Sequence, residues 1–122
     1  MHKQHTYKSL HKPSKHIVGG GNVGYLTCSY KHLVGMFGEP TIKTDGYKTS
    51  AEWHIEHVYD QQFQGVTAIY DYKQCKTYCG ESGLETEQIT QWNLGGKSQK
   101  LASDLIKFVS NPKTLEQACS NC

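Results

Sequence analysis

Apolar residues recur along this chain with two periods, and the change between them marks out the elements. Leu33, Val34 and Phe37 fall on one stripe at helical spacing, which predicts a short helix over residues 30–37. Ser29 suits its N-cap, with Thr27 as the alternative, and Tyr25 to Cys28 reads as an apolar strand end leading in. Gly38 fits the position just past a helix and Pro40 forbids continuation, so Gly38-Glu39-Pro40 is a stop signal. After a turn at Asp45-Gly46 the period drops to two. Ala51, Trp53, Ile55 and, at the end, His57 alternate with Ser50, Glu52, His54 and Glu56, the pattern of a strand with one buried and one wet face. Asp60 to Gly65 turns the chain. Val66, Ala68, Tyr70 and Tyr72 then alternate with Thr67, Ile69 and Asp71, predicting an antiparallel partner.

Residues 73–88 are polar, contain glycine and exceed an ordinary hairpin loop. Ile89 to Leu94 forms a third strand pattern, with Ile89, Gln91 and Asn93 on one face and Thr90, Trp92 and Leu94 on the other. Gly95-Gly96 ends it. Ser98 opens a helix to residue 109 whose Leu101, Ala102, Leu105, Ile106, Phe108 and Val109 make a broad apolar stripe, and Asn111-Pro112 stops it. The expected fold is α+β: a small antiparallel sheet of three to four strands, covered on one face by two helices, as a single domain over residues 17–110. Residues 1–16 have no apolar period and read as a disordered basic tail. Residues 111–122 read as a C-terminal tail or short extra turn.

Length agrees with that outline, since 122 residues suffice for one core. No run approaches the roughly 20 apolar residues of a membrane span, and no apolar block follows the N-terminal Lys and His residues, so neither a membrane partner nor secretion is expected. Charge changes the picture more. The net +2 conceals an asymmetry: Lys3, Lys8, Lys12 and Lys15 lie in the first sixteen residues without an acid. The remaining nine Lys face eleven acids, leaving that part near −2. None of the thirteen basic residues is Arg, which supplies the bidentate forks that read guanine, so sequence-specific DNA reading is disfavoured. Five cysteines, an odd count without a secretory signal, point to reduced thiols.

Several stretches in combination resemble a group of small uncharacterised proteins of phages and large DNA viruses. They are Gly24-Tyr25, Phe37-Gly38-Glu39-Pro40, Asp45 to Trp53, Val66 to Lys73 and Ile89 to Ser98, together spanning residues 19–109. Two departures from the group's pattern are the glycine run before Tyr25 and Lys97, where the group often has His. The resemblance implies a viral source, hence the host cytoplasm or the virion, and carries no activity. The helix–Gly-x-Pro–strand order is also similar to the small lipoprotein and lactamase-inhibitor-protein fold, a likeness of architecture alone.

The sharpest candidate site is Gly95-Gly96-Lys97-Ser98, where free N–H groups at a helix start, a Lys and a hydroxyl together suit an anion or phosphate. A tight strand-to-helix connection uses the same residues, and Gln91 stands where a Walker A loop needs glycine. His54 and His57 fall on opposite faces of a strand, which argues against joint metal ligation. Cys75 with Cys79 and Cys119 with Cys122 make a weak four-thiol zinc pattern. Cys28 with either His, and Asp71 with Glu56, are catalytic pairs that spacing does not single out, so no catalytic, metal or cofactor residues are assigned. Tyr47, Trp53, Tyr59, Tyr70, Tyr72, Tyr78 and Trp92 exceed what one small core needs, leaving a surplus for base stacking or a dimer face. The expected function is non-enzymatic: an accessory protein acting by protein binding or homodimerisation. The alternative is a nucleotide or nucleic-acid binder using Gly95, Gly96, Lys97, Ser98 and the basic tail.

Overall fold

A computed structural model describes residues 5–15, 21–43 and 49–111. In chain order the elements are β1 (His5–Ser9), β2 (Gly21–Thr27), α1 (Tyr30–Phe37), β3 (Glu52–Tyr59), β4 (Gln62–Tyr70), a single turn α2 (Lys76–Cys79), β5 (Gln91–Gly96) and α3 (Gln99–Ser110). The strands form one sheet in the order β1-β3-β4-β5-β2, antiparallel at every step. The fold is α+β, as the two periods predict, but the sheet has five strands rather than three or four.

Both additional strands lie at the edges, where little apolar patterning is needed. β1 comes from the stretch expected to be a basic tail, and pairs with β3 from His5↔Tyr59 to Ser9↔Ile55. Its inward anchor is Tyr7, whose ring lies 4.4 Å from Phe108 and 5.2 Å from His57. Lys8 faces the other way, opposite Glu56. An edge strand touches one neighbour and here needs one large inward side chain, so no alternation betrays it. β2 extends the strand end read at Tyr25 to Cys28 back through the Gly-Asn-Val-Gly run, and pairs with β5 through a bulge between Asn22 and Gly24. Residues 1–4, 16 and 112–122 of the two expected tails lie outside the described residues, as do residues 17–20 and the Asp45-Gly46 turn.

Trp53, Ile55 and His57 on β3, Thr67 and Ile69 on β4, and Trp92 and Leu94 on β5 share one face by register. Ala102, Leu105 and Val109 of α3 and Leu33 of α1 complete the core against it. Trp53 and Trp92 meet edge to face at 5.3 Å. Their indole N–H groups donate to opposite ends of α1: Trp53 Nε1 to the carbonyl of Gly38 at 2.9 Å, and Trp92 Nε1 to that of Cys28 at 2.7 Å. Ser29 caps the helix by accepting from His32 N–H at 3.1 Å. The wet face expected on β3 and β4 is drier than the alternation suggests. Val66, Thr67, Ala68 and Ile69 are all buried, as is His54. A central strand buried on both sides loses the contrast that distinguishes its faces.

Gly38 stops α1 with φ +79° and donates its N–H to Val34 carbonyl at 2.8 Å. A Cβ there would meet nothing within 4 Å, so the constraint is wholly in the backbone. Gly38→Ala is therefore expected to cost about 1–2 kcal/mol in denaturant unfolding, despite open space around the added methyl. An unchanged midpoint would contradict that reading.

Candidate functional site

The four residues of the strand-to-helix junction are held mainly by duties to the fold. Gly95 and Gly96 close β5, opposite Asn22 and Gly21. A Cβ on Gly95 would lie 3.1 Å from Tyr70 Cε1, and one on Gly96 would lie 3.2 Å from the Val66 carbonyl oxygen. Ser98 is the N-cap of α3, its hydroxyl accepting from Leu101 N–H at 3.2 Å. Lys97 is exposed. What this junction offers an anion is the Lys97 ammonium beside the first turn of α3.

Other candidate pairs are placed apart or fully engaged. Asp71 is completely buried and accepts from Ser50 N–H at 2.8 and 3.0 Å, Ser50 Oγ at 2.9 Å and Ala51 N–H at 3.0 Å. Its carboxylate ties the end of β4 to the start of β3, a structural task. Cys28 is buried, and burial pushes its thiol up to about 11, so it is not a thiolate nucleophile near neutral pH. Cys75 is buried at the start of α2, whereas Cys79 is exposed and directs Sγ to the Lys73 carbonyl at 3.2 Å. Cys119 and Cys122 lie outside the described residues, as does Tyr47.

His54 and His57 take opposite faces of β3, as the alternation requires. His57 is fully buried, with Nε2 at 2.8 Å from Thr67 Oγ1; Nδ1 has no partner among the described residues. Desolvation lowers its pKa to about 4, an effect opposed by Asp104 and reinforced by His5. Tyr7 lies over it, and a cleft of about 320 Å³ lined by His5, Tyr7, Asp104, Lys107, Phe108 and Asn111 opens beyond. On the far face, His54 accepts the Ser14 N–H on Nδ1 at 2.9 Å and contacts Glu52 Oε2 through Nε2 at 2.5 Å. A second cleft of about 240 Å³ lies between α1 and residues 86–87, lined in part by Tyr30, Glu39, Lys43 and Glu87. Burial raises the Tyr30 phenol, and Glu39 and Glu87 add to that.

The aromatic surplus divides cleanly. Trp53 and Trp92 belong to the core, whereas Tyr72 and Tyr78 are exposed on either side of Lys73, whose Nζ stands 5.2 and 5.6 Å from their ring centroids. Tyr25, read only as part of a strand end, is the most exposed large apolar side chain among the described residues, at 70%. The register Tyr25↔Asn93↔Tyr70 sets Tyr25 and Tyr70 on the face opposite the helices, and Tyr72 meets Tyr70 edge-on at 6.5 Å. Simple alternation could not reveal it, because the bulge at Asn22–Gly24 sets Val23 against the core while Tyr25 faces out.

His57 also sets an acid limit on stability. The unfolded chain takes up this proton near the ordinary value of 6.5, while the folded chain does so near 4. The His57 contribution is thus fully present above the unfolded value and is lost as pH falls between the two, amounting to about 3 kcal/mol at the acid end. Urea unfolding from about pH 7 to about pH 4 should show that decline, and a flat profile would refute it.

Compared with protein-family models, curated proteins and solved structures, the chain matches none.

Proposed function

We propose that this protein is a non-enzymatic viral accessory protein, of the host cytoplasm or virion, that acts by binding a second copy of itself along β2. The observation that carries this reading is the character of the β2 edge. Its seven residues, Gly21–Thr27, include no charge, and Tyr25 stands 70% exposed on it. Natural sheet edges are commonly guarded by Lys or by inward charges, as β1 is by Lys8; among the described residues β2 has only its bulge near one end. Antiparallel pairing of identical strands about a two-fold axis is self-complementary, so one uncharged edge supplies both halves of an interface. The viral part of the reading rests on the motif resemblance. Light scattering behind size exclusion should give about twice 13.7 kDa, and Tyr25→Lys should return the mass to that of one chain. A wild-type mass near 13.7 kDa at micromolar concentration ends the proposal.

A second reading, a nucleotide or nucleic-acid binder, is favoured by exposed Lys97 at the start of α3 and by the Tyr72–Lys73–Tyr78 cluster, whose rings are exposed for stacking. The basic N-terminal stretch contributes less than its composition suggests, because Lys8 is set opposite Glu56 in the sheet. Nucleotide titration of wild type and Lys97→Ala separates this reading from the first. Binding weakened about tenfold or more by the substitution supports it, and absent or unaltered binding removes it.

A further inference from the structure

β1 and β2 are the two edges of the sheet and, four antiparallel steps apart, run in the same direction. After β1, residues 10–15 lie against β3, with Ser14 on the face opposite the helices, and His54 is where they are fastened. Leu10 N–H donates to the His54 carbonyl at 2.9 Å. Thr41 Oγ1 donates to the Leu10 carbonyl at 2.6 Å and accepts His54 N–H at 2.9 Å. Further along, Ser14 N–H donates to His54 Nδ1 at 2.9 Å. That bond fixes the tautomer: Nδ1 carries the lone pair, so the ring proton sits on Nε2 and is donated to Glu52 Oε2. The imidazole beneath is 3% exposed, while His11, Lys12, Pro13 and Lys15 face solvent.

We propose that residues 10–15 form an acid-released strap with His54 as its latch. Protonation adds a hydrogen to Nδ1, converting the acceptor of the Ser14 N–H into a donor and setting two N–H groups against each other. The imidazolium keeps its bond to Glu52, so the bond to the strap is the one that breaks. Charge works in the same direction. Glu52 touches the imidazole, and Glu56 lies further along the same strand. The strap carries His11, Lys12 and Lys15 and no acid, so a positive charge beneath it repels it outward. Lys8 stands opposite Glu56, and Lys43 follows the Ile42–Glu52 bridge. Tyr70, opposite Glu52 on β4, stays neutral, and Ala68, opposite His54, carries no charge. Release bares His54 and the sheet face around it while the helix-covered core stays closed.

The full-length chain, labelled with ¹⁵N, tests this by following the His54 ring nitrogens and amide hydrogen exchange between about pH 7.5 and about pH 5. After correction for the intrinsic exchange rate, the Ser14 amide should lose about tenfold protection or more, while the Thr67 and Ile69 amides of β4 keep theirs. The midpoint should coincide with titration of His54. Glu52→Gln, at a half-buried position that still accepts from Nε2, should move both midpoints together. The proposal is overturned if Ser14 stays protected while His54 titrates, or if His54 stays neutral until the whole sheet opens. Strap opening that ignores Glu52→Gln overturns it equally.

Discussion

The pair of indoles at the centre of the sheet is the interaction on which the rest of this fold depends. Trp53 on β3 and Trp92 on β5 fill the core edge to face, and each spends its one N–H on a carbonyl at an opposite end of α1. A buried indole N–H left unpaired would cost about 1–3 kcal/mol, so the helix position and the tryptophan rotamers fix one another. Because Gly38 and Cys28 supply carbonyls just outside α1, the helix also cannot be lengthened by a turn without losing a clamp. α3 then needs only to lay its Ala102, Leu105 and Val109 stripe beside a surface already set.

Asp71 performs a similar task with charge. It holds Ser50 and Ala51 where β3 begins, and its location one residue past β4 means both strands of the central hairpin are registered from that end. A carboxylate taken fully out of water is tolerable when backbone and hydroxyl donors replace the lost hydration, and here they do. The same logic separates the two histidines of β3. His54 has both ring nitrogens engaged and touches a carboxylate, whereas His57 is sealed among apolar and aromatic groups and is held neutral. Two imidazoles three residues apart thus respond to acid in different ways, one by loosening a surface segment and the other by weakening the core.

Much of the framework was legible along the chain. Helical spacing of Leu33, Val34 and Phe37, the Gly38–Pro40 stop, the alternation from Ala51 to His57 and the apolar stripe of residues 101–109 give α1, β3 and α3 nearly at their observed limits. The candidate site was less legible, because Gly95, Gly96 and Ser98 satisfy a tight connection as well as they would an anion, and local sequence does not distinguish the two. Tyr7 and Tyr25 passed as members of a tail and a strand end. An edge strand buries one face against one neighbour and carries too little periodicity to announce itself.

The sequence by itself determined the periods, the stops and the caps, since these depend on backbone preferences and on residues a turn or two apart. It therefore determined the α+β class and the residues that build the core. Tertiary structure decided which strands lie at the edges, that β1 and β2 stand at opposite ends of the sheet, and that Ser14 is bonded to His54 on its second face. Those outcomes rest on hydrogen bonds between residues far apart in the chain, such as Ser14 with His54 and Trp92 with Cys28. No local pattern encodes such pairings, because a buried donor is indifferent to how far along the chain its acceptor lies.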